Sequence, residues 1–206
     1  DFSQSKFVGA VIGRFTPTRM RLAYELDQAF KNDTYLIFQS RTWWYHEPFV
    51  DVYKDEMTWF KQRRFDQDLK GSASGAIAPI EAYKHYHQVC NNYLIEVVAE
   101  TDPVSDFWFT EKTGKCLATG KPFLLVNGTG SLSELRRLGF ETFGSIIDES
   151  YDQESTPTLR IKSIVNSLQI LYNSPNKLDK IAEMYNIAER NIAHYRAYVT
   201  SQGHDV

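Results

Sequence analysis

Apolar residues along this 206-residue chain fall into short unbroken runs that alternate with stretches at helical spacing. Lys6 to Ile12 (KFVGAVI) is a β-branched apolar run closed by Gly13 and predicts a strand. Between Arg19 and Phe30, Leu22, Leu26, Ala29 and Phe30 share one face and predict a helix. Thr34 to Phe38 predicts a second strand. Arg41 to Gly75 is irregular, aromatic and charged, with a helix expected over Lys54 to Arg64 and a break at Gly71-Ser72-Ala73-Ser74-Gly75. Pro79 opens a helix to about Val89. A strand over Tyr93–Ala99, a loop with Pro103, a helix over Thr110–Thr119 stopped by Gly120, and a strand over Pro122–Val126 follow. Asn127 to Gly130 turns into a helix over Ser131–Leu138, stopped by Gly139, and Phe140–Phe143 reads as a short edge strand. Helices over Thr158–Tyr172 and Lys177–Val199 close the chain. In the last, Ile181, Met184, Ile192 and Tyr195 lie at core or strut spacing.

Strands alternating with helices predict an α/β fold, a Rossmann-like doubly wound parallel sheet with two C-terminal helices. The expectation is one domain over 1–206, with an irregular aromatic insertion at about 41–75 and a helical tail at about 155–200. Apolar residues make up 42% and aromatics 14%, enough to fill a core. A formal charge of -3 gives no reason to expect nucleic acid or an anionic membrane as partner. No apolar run reaches the roughly 18 residues that a membrane span needs. Cys90 and Cys116 lack metal-ligand or disulfide spacing, so they read as partly buried thiols in a reducing, cytoplasmic setting.

Ligands of such sheets bind at the carboxyl ends of the strands, and three predicted strand-to-helix turns carry the same chemistry there. The first, Gly13 to Arg19, supplies glycine, hydroxyls, Arg14 and Arg19, with Arg21 following. The second supplies Thr110, Glu111 and Lys112, and the third Asn127, Gly128, Thr129, Gly130 and Ser131. Free backbone N–H groups at a helix start attract anions, and Arg or Lys adds full charge. A neighbouring carboxylate suits a ribose diol, because it accepts two hydroxyl hydrogen bonds. Together the turns suit a nucleoside diphosphate. Read singly, each is an ordinary cap with solvated charges.

Other nucleotide and metal motifs fail. Gly114 to Lys121 has five residues between its glycines and Pro122 after the lysine, which is not a P-loop, and Gly128-Thr129-Gly130 lacks the third dinucleotide glycine. No metal ligand set is assigned. Asp66-Gln67-Asp68 has the D-x-D form of metal-dependent sugar transferases but follows no buried strand, so it reads as an acidic patch, with the metal-dependent transferase as an alternative. His46, His85, His87 and His194 show no zinc spacing. Trp43-Trp44-Tyr45-His46 reads as core or interface, with a sugar-stacking platform as the alternative.

YLIEVVAETDPVSDFWFTEKTGKCLATGKPFLLVN resembles the donor-binding block of family-10 fucosyltransferases, in which a strand with an acidic end precedes a Tyr-Val-Thr-Glu-Lys helix start, an Ala/Gly-rich helix and a second strand. KFVGAVIGRFTPTRMRLAYEL resembles that family's earlier block, with Arg19 and Leu26 as its Arg and Leu. The likeness loosely covers about the first two-thirds of the chain. PFLLVNGTGSLSELRRLGFETFGSIIDESYD is similar to a block of viral and bacterial glycosyltransferase-like proteins, exostosin-like ones among them. Gly13-Arg14 stands where the family has Ser-Asn, and Val98-Ala99-Glu100 where it has Phe-Glu-Asn, which leaves the sugar open.

The resemblance implies a GT-B donor domain, and an inverting, metal-independent transfer from a nucleotide-sugar such as a GDP- or UDP-sugar to a glycan acceptor, with no further cofactor. It implies Lys112 and Arg19 on the diphosphate, Glu111 on the ribose and Glu100 facing the donor. In the family the general base lies on an N-terminal acceptor domain, and this chain begins close to the donor domain's first strand. The expected partners therefore include such a domain or a second copy of the chain. Glu100 and Asp148 are the local acid–base candidates, although Asp148 to Asp152 also reads as a cap for the following segment. A non-catalytic α/β module that binds carbohydrate or protein remains the alternative.

Overall fold

The computed structural model describes residues 5–13, 16–38, 54–62, 67–68, 86, 89–100 and 109–201. Its elements are β1 (Lys6–Ile12), α1 (Pro17–Phe30), β2 (Thr34–Phe38), α2 (Lys54–Gln62), β3 (Gln67–Asp68), β4 (Tyr93–Ala99), α3 (Glu111–Thr119), β5 (Phe123–Val126), α4 (Ser131–Arg137), α5 (Pro157–Tyr172) and α6 (Lys177–Ser201). The strands form one sheet in the order β3-β2-β1-β4-β5, and every pairing is parallel. β2, β4 and β5 are buried at every position. That is why they appear in the sequence as mainly apolar runs rather than alternating ones, with Glu96 the charged exception within β4.

The path β1–α1–β2 steps one way across the sheet, and β4–α3–β5 steps the other. Right-handed crossovers therefore place α1 and α3 on opposite faces. α1 packs against α5, and α3 packs against α6. On the α1 side, the rings of Phe7, Phe30 and Tyr172 meet with centroids 4.9–5.6 Å apart and tie β1, α1 and α5 together. On the α3 side, close approach depends on glycine. A Cβ at Gly120 would stand 2.7 Å from Ile192 Cδ1, and one at Gly139 would stand 2.7 Å from the His194 ring. Gly120 also ends α3 in the left-handed region (φ 69°), which L side chains rarely adopt.

Helix starts follow a repeated local rule. Thr16 caps α1 and Thr156 caps α5, each accepting an amide hydrogen bond at 3.3 Å and each followed by Pro at the first helical position. Phe140–Phe143 is not a strand, contrary to the sequence expectation. Side chains engage its amides instead: Glu141 N donates to Asn191 Oδ1 at 2.9 Å and Phe143 N to Glu149 Oε1 at 2.7 Å. Gln67–Asp68, expected off any strand, pairs with Ile37–Phe38 as β3. No helix among the described residues is long and apolar enough to cross a membrane.

A buried polar cluster lies below α3. Tyr86 and Tyr93 donate their hydroxyls to Glu96 Oε2. Lys121 Nζ donates to the carbonyls of Cys90 and Tyr93 and to Tyr185 Oη. Both cysteines are buried, and neither forms a disulfide. Burial pushes the Lys121 ammonium down from 10.5 to about 8, against support from Cys90 and Glu96. The unfolded chain therefore binds more protons than the folded one between those values. Stability contributed by this group is absent below the window and rises with pH across it. Relative to a Lys121→Met variant, the wild type should gain about 3 kcal/mol across that window. Urea unfolding at a series of pH values measures this, and parallel curves for the two proteins would refute it.

Candidate functional site at the sheet's carboxyl edge

The strand order reverses between β1 and β4, and open α/β sheets hold ligands outside the carboxyl ends of the strands at such a reversal. The start of α1 stands as one wall of that place and the start of α3 as the other.

The α3 wall is built by one carboxylate and one threonine. Glu100 directly follows β4 and is 2% exposed. Its Oε1 accepts from Thr110 N at 3.1 Å and from Thr113 Oγ1 at 2.5 Å, and its Oε2 accepts from Thr110 Oγ1. The strand end and the helix start are thereby joined through a single side chain. Thr110 is the N-cap, and its oxygen accepts from Lys112 N at 3.3 Å. The Lys112 ammonium lies 3.1 Å from Thr110 Oγ1, 3.2 Å from Glu111 Oε1 and 3.8 Å from Glu100 Oε2. Burial works to raise the Glu111 carboxyl. The Lys112 ammonium and the helix-start backbone outweigh it and hold the carboxyl below its ordinary range. Thr110, Glu111, Lys112 and Glu100 thus form one contact cluster.

On the α1 wall, Arg19 sits in the first turn, 3% exposed. Arg21 is engaged within the protein by Glu25 (2.5 Å) and by Glu56 of α2. Arg14 lies outside the described residues, as do Asp66, Trp43–His46, most of the aromatic insertion, Pro103 and most of the segment expected to be helical after Pro79.

The third turn reaches the same edge but is closed from within. Arg160 of α5, 1% exposed, donates to the carbonyls of Asn127 and Glu154 and to Thr129 Oγ1 (3.0 Å). Gly128 O accepts from Ser131 N and Oγ at 3.3 and 2.6 Å. Asp152 Oδ1 accepts from Leu132 N at 3.1 Å. A carboxylate of the protein therefore already occupies the start of α4. Burial raises the Asp152 carboxyl, opposed by the Leu132 amide and by Arg160. Asp152 was expected to cap the segment after it, yet it caps a helix that precedes it. Asp148 does act on the following segment: its carboxylate accepts from Ser150 N and Oγ at 2.9 and 3.0 Å, and the residue is exposed.

Sequence reasoning did not single out Thr113 or Arg160. Thr113 carried a signal, since it stands one turn after Thr110 and shares its side of the helix. Arg160 carried none, being 33 residues from the carbonyl it holds. Among the described residues no group of three His, Cys, Asp or Glu side chains could hold a metal ion. A cleft of about 790 Å³ lies elsewhere, lined by Arg136, Phe140, Glu141, Glu149 and Arg190 at the far end of α4. Four of its charged side chains are paired, Arg136 with Glu149 at 2.9 Å and Arg190 with Glu141 at 2.6 Å, and it faces open solvent. Its size does not make it a better site than the α3 start, where helix dipole, ammonium and carboxylates converge beside the strand-order reversal.

No protein-family model matches the chain. No curated protein matches it either. Among solved structures it is similar to AviGT4, a glycosyltransferase involved in avilamycin A biosynthesis, at 13% identity and a TM-score of 0.37. The similarity covers 97% of this chain, which spans about half (53%) of the length of that structure.

Proposed function

We propose that this chain is the donor-binding part of a glycosyltransferase that takes a nucleotide-sugar, in the manner of a GT-B C-terminal domain. The observation that carries the reading is the Thr110–Glu111–Lys112 helix start, seated beside the reversal of strand order and opposite the first turn of α1. Lys112 and Arg19, with Arg14, take the diphosphate, and Glu111 takes the ribose hydroxyls. Lys112 and Glu111 pair with one another at 3.2 Å. A nucleoside diphosphate offers each a better partner, phosphate oxygens to the ammonium and a diol to the carboxylate. Charge growing on the departing diphosphate is then met by the ammonium and by the start of α3. The transfer is inverting and metal-independent in this reading.

Acceptor activation is assigned to neither Glu100 nor Asp148. Glu100 is occupied by three donors of the helix start, and Asp148 by Ser150. In this reading the base lies on an acceptor-binding part, as the resemblance implies.

A thermal-shift panel of GDP-, UDP- and dTDP-sugars, with and without chelator, tests the reading, because binding raises apparent stability by mass action. One nucleotide should stabilise the protein equally in both conditions. Lys112→Ala should weaken that nucleotide's calorimetric affinity by about 10- to 100-fold, equivalent to roughly 1.4–2.7 kcal/mol. Stabilisation lost to chelator and restored by manganese would favour a metal-dependent transferase using Asp66 and Asp68. Indifference to every nucleotide would leave the carbohydrate- or protein-binding module.

A further inference from the structure

We propose that Glu100 is a positioning residue: a buried carboxylate that sets the hydrogen-bond direction of Thr110 and thereby holds the Lys112 ammonium over the start of α3. The inference deepens the donor-site reading, since it matters for function only if Lys112 binds the donor.

The Glu100 side chain has no exposed surface. A charge taken fully out of water is sustained only by donors and countercharge around it. Thr110 N and Thr113 Oγ1 supply donors to Oε1, which a neutral glutamine oxygen could accept equally well. The other oxygen needs the charge. Oε2 faces Thr110 Oγ1 and stands 3.8 Å from Lys112 Nζ.

A carboxylate oxygen only accepts, so the single hydroxyl proton of Thr110 points to Glu100. The lone pairs of Thr110 Oγ1 are then left to the Lys112 amide at 3.3 Å and the Lys112 ammonium at 3.1 Å. An amide at position 100 would keep its oxygen on Thr110 N and Thr113 and turn its NH₂ towards Thr110. The hydroxyl would then accept rather than donate, and a partly positive group would face Lys112. Glu111 also touches the ammonium, but its side chain is 31% exposed and it is the group that the ribose would claim. Glu100 is the partner that stays when ligand arrives.

The experiment reads the Lys112 ammonium directly by ¹⁵N-detected NMR of the whole chain without nucleotide, at mildly acidic pH and low temperature. Lys112→Met identifies the resonance. In the wild type the ammonium should be ordered and slow to exchange. In Glu100→Gln the resonance should broaden beyond detection, while the amides of Thr113 to Thr119 keep their shifts. In Glu111→Gln, a change at a half-exposed carboxylate, the resonance should persist. Persistence in Glu100→Gln would overturn the proposal. Loss in Glu111→Gln would also overturn it, and that variant decides the matter even if Glu100→Gln fails to fold. Calorimetry then follows with GDP and UDP as probes. Glu100→Gln should weaken the better of them about tenfold, with the helix amides unchanged. A protein that binds neither probe yet shows the expected ammonium pattern refutes the donor-site reading and sustains the positioning role.

Discussion

Gly9→Ala should lower the unfolding free energy by about 3–5 kcal/mol, although alanine is the better strand residue. Gly9 lies in the central strand β1, paired with Tyr35 on one side and Glu96 on the other. The Tyr93 ring fills the space a side chain would take: a Cβ there would stand 2.4 Å from the ring's Cγ. Tyr93 also stacks on Tyr35 (5.7 Å, 30°) and donates its hydroxyl to buried Glu96 at 2.8 Å. Displacing the ring combines an overpacking cost of about 1–3 kcal/mol with loss of a hydrogen bond to a buried carboxylate, worth about 1.5–3 kcal/mol. Tyr93→Phe removes the second part alone and should cost about half as much. Urea midpoints of the two variants separate the contributions. A Gly9→Ala protein as stable as the wild type would mean the ring does not lie over this residue.

Arg160→Met should be about as damaging, at roughly 3–5 kcal/mol. The substitution removes the guanidinium donor from the carbonyls of Asn127 and Glu154, the latter keeping Thr129 Oγ1 at 3.2 Å, and removes the cation that opposes burial of Asp152. Arg160→Lys should recover little of the loss, because one ammonium cannot reach three acceptors that a planar guanidinium spans. With typical domain stabilities of about 5–15 kcal/mol, either change at position 160 or at Gly9 removes a large share. Hydrogen exchange distinguishes the two sites. In Arg160→Met, protection should fall first at Gly130 and Leu132, whose amides bond Asp152, while the β1 and β2 amides keep theirs. Uniform loss across the sheet would show that Arg160 supports the whole fold rather than this turn.

Elements whose cause is local could be read directly. Tyr93–Ala99 forms β4 over the expected bounds, because a strand buried on both faces needs a predominantly apolar run. Thr110 as a cap and Gly120 as a stop are one-residue signals and fall where expected. The helix expected to reach Arg64 is described to Gln62. Elements settled by distant partners could not be read. Phe140–Phe143 reads as a short edge strand, but Asn191 and Glu149 take the amides of Glu141 and Phe143. Asn127 to Ser131 has the residues of an open anion loop, yet Arg160 and Asp152 close it from segments with no local link to it. At the site, Thr110, Glu111 and Lys112 were legible as a cluster from spacing alone. The role of Glu100 was not, since an acidic residue at a strand end fits a catalytic group and a helix anchor equally well until its hydrogen-bond partners are known.

The glycine-lined seat of α6 bears on how ligand binding could proceed. A 25-residue helix is pressed against α3, with Ile192 over Gly120 and Tyr195 against Gly114, where a Cβ would stand 3.2 Å from its hydroxyl. Tyr185, two turns before Ile192 on the same face of α6, bonds Leu94 O in β4 at 3.0 Å. α3 is thus braced from behind by the same helix that is bolted to its preceding strand, and Glu100 fixes its front. Backbone shifts of α3 on binding would have to unseat α6 as well. In the proposed reading, recognition at this helix start would proceed by exchange of side-chain partners on a stationary α3, with an encounter rate not slowed by rearrangement of that helix.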